Sequence, residues 1–366
     1  MKRKLRFCFF LFTILIVKSS FSQNTYLVDS LKIIYNQGEV SGVEKLELLL
    51  NLSFYSPNKE IDGLNYANEL ISESRNLKND LYLSKGYSLR GQVYQRSGNL
   101  PSTLDDFIKA SEAASKLEDK KHEGTSIILI AGLYSQMGNT NLSRKYYEKG
   151  INILRKTKDS LTLASGLLNA GDLEFSAGNH QAAINFFTEA LTLYQKLKYE
   201  KGIAYAFGNF GKVYAAQGRY ELAEQELNKC LKILEELEDY YGISDYLNSM
   251  SEIYKTRKEH HIALSFAHKS LTLAQEYNLV EQLSSTNATL AQLYEDINKK
   301  DLALKYYKDH ITYRDSIINL KNMQEAADLR TNFEVSQKQN EVNLLLQTKK
   351  NQRLISFGIG ILTLLL

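Results

Sequence analysis

Along most of the chain apolar residues recur at intervals of three and four, the period of a helix with one buried face. In residues 202–237 (GIAYAFGNFGKVYAAQGRYELAEQELNKCLKILEEL) the run breaks once, at Gly218-Arg219, as a helix-ending glycine breaks it. The pattern predicts two antiparallel helices, and it recurs. Tyr94, Tyr134, Tyr214, Tyr254 and Tyr294 fall on a 40-residue register, with Glu174 at the missing step and Phe54 one copy earlier. Three residues before each marker stands a small residue: Gly91, Ala131, Gly171, Gly211, Ser251 and Ala291. Four after it come Gly98, Gly138, Gly178 and Gly218, giving way to Lys258 and Asn298. Nine after it come Thr103, Ser143, Ala183, Ala223, Ala263 and Ala303, and a larger apolar residue follows at Phe107, Tyr147, Phe187, Leu227 and Tyr307.

Small residues such as Gly211 and Ala223 let the two helices of a copy approach, with Tyr214 and the leucines filling the space between them. One hairpin cannot bury its apolar face alone, so stacked neighbours bury it for one another. A small residue, an aromatic three later, a glycine turn and a downstream alanine resemble the tetratricopeptide repeat family over residues 43–318. The departure is length, 40 residues here against the family's usual 34, with the surplus between helix pairs. The resemblance implies an all-α, right-handed superhelical solenoid of about seven hairpins, preceded by a capping helix within residues 23–42 and followed by a long helical stalk. It also implies a protein or peptide partner in a concave groove lined by the first helix of each pair. Carried over copy by copy, the groove positions are Asn169 and Asp172, Asn209 and Lys212, Ser249 and Glu252, and Thr289 and Gln292, with Tyr205, Asp245 and Asn248 one turn away. Two plainer readings stand beside this: Asn169 and Asn209 bond neighbouring helices, and Lys212 pairs with Asp172 and Asp245 between repeats for ~0–1 kcal/mol.

The two ends read differently. Lys2, Arg3, Lys4 and Arg6, an apolar stretch over 7–17 and Ser20-Phe21-Ser22 form a secretory signal, residues 1–22, cleaved before Gln23. An uncleaved anchor is the competing reading, but eleven apolar residues fall short of the roughly 20 needed to span a bilayer. Loss of five basic residues takes the formal charge from +3 to 3 − 5 = −2. Near-neutrality excludes nucleic acid as a partner, since that needs a concentrated basic face. Cys230 alone survives processing, so no intrachain disulfide forms.

From residue 302 to 353 there is neither Pro nor Gly, and apolar positions continue through Ile317, Leu320, Met323, Ala327 and Phe333. Residues 319–353 therefore read as a juxtamembrane helix that pairs two copies as a coiled coil, or as a single helix packed back on the solenoid. Residues 354–366 (LISFGIGILTLLL) read as the start of a transmembrane helix cut short, or as a short interfacial tail. Signal, repeat array, ITYRDSI at 311–317, polar helix and apolar end together resemble a membrane-signalling architecture of Bacteroidetes-type bacteria. That resemblance implies a periplasmic solenoid anchored to the inner membrane by its C-terminal helix, acting as the sensor of a protein whose output, such as a histidine kinase, follows the membrane. A membrane-tethered scaffold for protein partners is the alternative.

Candidate chemistry is sparse. His260, His261 and His268 are the one histidine cluster, and no carboxylate or thiol is placed to complete a metal site. Cys230 occupies a position held by Ala110, Gly150 and Ala190, a small packing site. Phosphate-cradling loops, nucleophile elbows and two-histidine metal motifs are missing from the sequence. No catalytic residue, metal or cofactor is expected in these residues.

Overall fold

From the second hairpin onward, each 40-residue unit is cut into two helices by one backbone device. The residue four after the marker adopts left-handed φ: 73° at Gly98 and Gly138, 79° at Gly178 and 74° at Gly218. Lys258 and Asn298 take the same conformation at 62° and 61°, although they carry side chains. The next N–H turns back to the marker's carbonyl, as from Asn99 to Tyr94 and from Arg219 to Tyr214, each at 2.9 Å, closing the helix with its last carbonyls satisfied. Side-chain caps then start the following helix, Asn99 Oδ1 accepting from Ser102 N and Asn139 Oδ1 from Leu142 N.

A computed structural model describes residues 22–56, 59–117, 119–317 and 347–349. Helix α1 (Ser22–Gln37) precedes seven hairpins. These are α2 (Gly42–Tyr55) with α3 (Leu64–Asn76), α4 (Asp80–Arg96) with α5 (Leu100–Lys116), α6 (Lys120–Gln136) with α7 (Thr140–Leu154), and α8 (Ser160–Ser176) with α9 (His180–Leu197). Then follow α10 (Glu200–Ala216) with α11 (Tyr220–Glu236), α12 (Tyr240–Thr256) with α13 (His260–Glu276), and α14 (Val280–Asp296) with α15 (Lys300–Ile317). One π-helical turn, Lys59–Gly63, leads into α3, and the described residues contain no strand.

Close approach within a hairpin depends on the small residue three before the marker. A Cβ added at Gly211 would stand 2.6 Å from Leu227 Cγ, and one at Gly171 would stand 2.3 Å from the Phe187 ring. Phe107, Tyr134, Phe187, Tyr194 and Tyr246 are the largest fully buried side chains. The marker tyrosines are not uniformly core: Tyr134 is fully buried, whereas Tyr94, Tyr214, Tyr254 and Tyr294 are only half-buried.

The backbones of successive first helices, α6 with α8, α8 with α10, α10 with α12 and α12 with α14, approach one another, and those of successive second helices stand farther apart, with Arg155 at the end of α7 reaching Glu189 of α9 at 2.7 Å. The array therefore curves with its first helices on the inner side. Ionic links cross the junctions. Asp239 caps α12 by accepting from Gly242 N at 3.2 Å, and its other oxygen lies 2.7 Å from Lys201 Nζ of the preceding hairpin. Asp159 and Lys121 repeat this link at 3.2 Å.

One expectation needs correction. A periplasmic solenoid held in the inner membrane by a C-terminal helix is not what the structure supports, because no helix among the described residues is long and apolar enough to cross a membrane. Thirteen residues at ~1.5 Å rise give about 20 Å, against a hydrocarbon core of roughly 30 Å. Residues 354–366 themselves, all of the signal over 1–22 except Ser22, and all of the pairing helix over 319–353 except 347–349 lie outside the described residues.

Candidate functional site on the inner surface

The inner face is a stripe of residues at positions two, six, ten and thirteen along each first helix, the spacing that keeps side chains on one side. On α8 the stripe presents Leu161, Ser165, Asn169 and Asp172, on α10 Lys201, Tyr205, Asn209 and Lys212, and on α12 Tyr241, Asp245, Ser249 and Glu252. The structure brings Asp172, Asn209, Lys212 and Asp245 together across three successive repeats. Lys212 Nζ donates to Asp245 Oδ2 at 2.6 Å and lies 4.9 Å from the centre of the Tyr246 ring. Burial pushes the Lys212 ammonium down, and the Asp245 and Asp172 carboxylates more than offset that, so it stays charged. Burial pushes the Asp172 carboxyl up to about 6; Lys212 opposes the shift and Asp245 adds to it. Two carboxylates share one ammonium here.

Asn209 is 3% exposed and is already engaged. Its Oδ1 accepts from the Tyr246 hydroxyl at 3.0 Å, and its amide bonds Asp172. The plainer reading of that asparagine, a bond between neighbouring helices, describes its geometry. Asn169, one repeat earlier, is exposed. Asn248 holds a buried Oδ1 with no partner among the described residues. Farther along, Lys255 Nζ donates at 2.5 Å to Gln292 Oε1 and lies 2.5 Å from Glu252 Oε2, bridging two of the expected positions. Thr289 is buried, its hydroxyl donating to Ser285 O at 3.3 Å. Lys212, Ser249 and Glu252 line a cleft of about 340 Å³ with Phe175 and Tyr220.

Four contributors were not among the expected groove residues: Phe175, Tyr220, Tyr246 and Lys255. Tyr246 was detectable in the sequence. Its register holds small residues elsewhere, Ser126, Gly166, Ala206 and Thr286, while Gly208 stands where Ile128 and Leu168 stand. A Cβ on Gly208 would lie 2.2 Å from the Tyr246 ring. Between these two repeats the large and small partners have exchanged places, which lays a tyrosine across α10 beside Asn209 and Lys212.

Elsewhere the chemistry is structural. Cys230 is fully buried, and that burial pushes its thiol up. His268 shares a hydrogen bond of 3.0 Å with the Tyr294 hydroxyl, and burial pulls its imidazole down. No cluster among the described residues could hold a metal ion.

Curved stacks of helix hairpins with a polar inner surface define a helical-repeat solenoid. A sequence profile of the tetratricopeptide repeat matches residues 82–156, 128–196, 162–236 and 202–276, together more than half of the chain, and the chain belongs to that family. Comparison with curated protein sequences gives no match. Among solved structures, a Rap protein complexed with competence and sporulation factor aligns over 81% of this chain and 80% of its own, with TM-score 0.64 and 14% identity. The apo quorum sensor NprR from B. thuringiensis aligns over 81% and 83%, with TM-score 0.62 and 18% identity. The Rap conjugation gene regulator of plasmid pLS20, in complex with the Phr* peptide, aligns over 78% of each chain, with TM-score 0.62 and 13% identity. At these identities the likeness is one of fold.

Proposed function

We infer that this chain is a non-catalytic binding module that holds an extended peptide segment on its inner surface and serves as the sensing part of a signalling protein. The observation that carries the reading is the Asp172–Lys212–Asp245 ladder. It crosses three repeats on the inner face, half-exposed, beside the free Asn169 amide and the unpartnered Asn248 carbonyl. An extended backbone offers donors and acceptors at alternating positions, and side-chain amides can meet both. Peptide and signalling-factor complexes of Rap proteins with the same fold support the reading by analogy.

The test is selection of binders from a random-peptide phage library, followed by fluorescence anisotropy with the selected peptides. Lys212→Met and Asn169→Ala should each weaken binding by about tenfold, the effect of losing a charge-assisted or well-placed hydrogen bond. Selected peptides that bind both variants as tightly as the parent chain would count against the inner surface as the site.

A further inference from the structure

At the junction of the fifth, sixth and seventh hairpins, the repeats depart from their own pattern at the rim of the inner face. Tyr277 stands where Leu77, Leu117, Leu197 and Leu237 stand in other copies. Tyr240 replaces Lys120, Ser160 and Glu200, and Tyr241 replaces Lys121, Leu161 and Lys201. Acids stand here where most copies carry lysine: Glu238, like Glu118, takes the place of Lys78, Lys158 and Lys198, and Glu276, like Glu236, that of Lys116, Lys156 and Lys196. Sibling repeats fold without these tyrosines, so folding does not require them.

The substitutions converge in space. Tyr199, Lys201, Glu238, Tyr240, Tyr241 and Tyr277 line a cleft of about 450 Å³ at the rim where the first helices begin. Tyr199, Tyr241 and Tyr277 are 39%, 43% and 36% exposed, a large aromatic surface to leave in water. Tyr240 and Tyr277 stack with ring centres 4.0 Å apart and planes 11° apart, forming one flat wall. Lys201 is the one cation among the lining residues, and Asp239 holds it at 2.7 Å. Glu238 adds a carboxylate to the lining, and the Tyr241 hydroxyl donates to Glu281 at 2.6 Å. The hydrogen bond with Tyr240 and burial push the Tyr277 phenol up to about 12, and the Glu276 and Glu238 carboxylates add to the shift.

We propose that this rim cleft is a second docking site, which takes an arginine- or lysine-bearing segment of a protein partner. Tyrosine faces attract a cation through their quadrupoles, and guanidinium planes stack on them with little loss of hydration. The surrounding carboxylates supply the complementary charge. The cleft takes in Lys201 and Tyr241 at one end of the inner-face stripe, and it does not depend on peptide binding at the Asp172–Lys212–Asp245 ladder.

The experiment uses the chain as it is, with a fluorescein-labelled peptide of alternating glycine and arginine and its glutamate counterpart as control. Anisotropy at about 20 mM salt should give a dissociation constant on the order of 0.1 mM for the arginine peptide, weakening severalfold at about 500 mM. The triple variant Tyr277→Leu, Tyr241→Lys, Glu238→Lys installs residues that sibling repeats already carry at those places, and it should bind at least tenfold more weakly with an unchanged helical spectrum. Glu238→Lys alone keeps the test decisive if the triple variant unfolds, because Lys198 already occupies that left-handed position in its own repeat, and it should cost about threefold. The proposal is overturned if the arginine peptide binds no better than the glutamate one, or if the rim variants retain binding within twofold.

Discussion

Glu174 occupies the marker position that holds tyrosine in five other copies, yet it is only 6% exposed. Arg144 reaches it from α7 with two hydrogen bonds, Nε to Oε1 at 2.6 Å and Nη2 to Oε2 at 3.1 Å, and Asn179 Nδ2 adds a third at 2.7 Å. Removing one partner of a fully buried ion pair costs ~3–5 kcal/mol, whereas exposed pairs contribute ~0–1 kcal/mol. Here the carboxylate is buried and the guanidinium is 42% exposed, and the Asn179 bond survives, so Arg144→Ala should cost about 2 kcal/mol at pH 7. The Arg144 hydrogen bonds hold the Glu174 carboxyl below its ordinary value against the opposing effect of burial. A depressed folded pKa contributes stability that is present above the unfolded value, near 4.3, and is lost as pH falls through the folded one. The difference between parent and variant should therefore narrow from pH 7 toward pH 3.5, where the stranded carboxyl can take up a proton. Urea unfolding followed by helical circular dichroism reads both quantities. Replacing the pair by the residues of sibling repeats, Arg144→Leu with Glu174→Tyr, should recover most of the loss, since an apolar pair of similar volume avoids the desolvation of two ions. A loss below about 0.5 kcal/mol, or one that stays constant from pH 7 to 3.5, would refute the reasoning.

Three further outcomes follow from the same geometry. Lys258→Gly removes a side chain from a residue at φ 62° and should raise the urea midpoint by an equivalent of ~0.5–1 kcal/mol, with Asn298→Gly gaining less because asparagine tolerates that conformation. Gly171→Ala drives a methyl group into the Phe187 ring, and overpacking of ~1–3 kcal/mol should outweigh the ~1 kcal/mol gain in helix propensity, read as a lowered unfolding temperature. Asp172 has its folded pKa raised to about 6, so its ionisation opposes folding increasingly as pH rises from about 4 to 6. Asp172→Asn should accordingly raise the unfolding temperature at pH 7 and leave it unchanged at pH 4, as scanning calorimetry at the two pH values would show.

Much of the architecture was legible because repetition supplies its own controls. The helix-ending turn is set by backbone geometry alone, so glycine at 98, 138, 178 and 218 announced it, and Lys258 and Asn298 could be placed by register although their side chains argue otherwise. The site was less legible. Asn209 shares its register with Asn169, but its fate depends on Tyr246, a residue 37 positions away whose ring lies over the next helix. A register aligns like with like, whereas side-chain partnerships cross from one copy to the next at offsets that the register does not mark. Arg144 with Glu174 and Gly208 with Tyr246 are both cases of this, each a pair of exceptions that make sense only together. Membrane placement failed for a different reason: it rested on composition at one end of the chain, with no partner residues to test it.

The backbones of first helices lie close to those of their successors, and those of second helices stand farther apart. Mechanically, the inner row is then a line of pivots, and each outer helix, packed on the first helix of the next hairpin, moves with it. A ligand that wedges two first helices slightly apart fans the outer helices through a larger arc, and each junction adds its own rotation to the last. Occupancy at a few side chains near Lys212 would thus be read out as a change in pitch along the whole spiral, delivered at its far end as a displacement of α15.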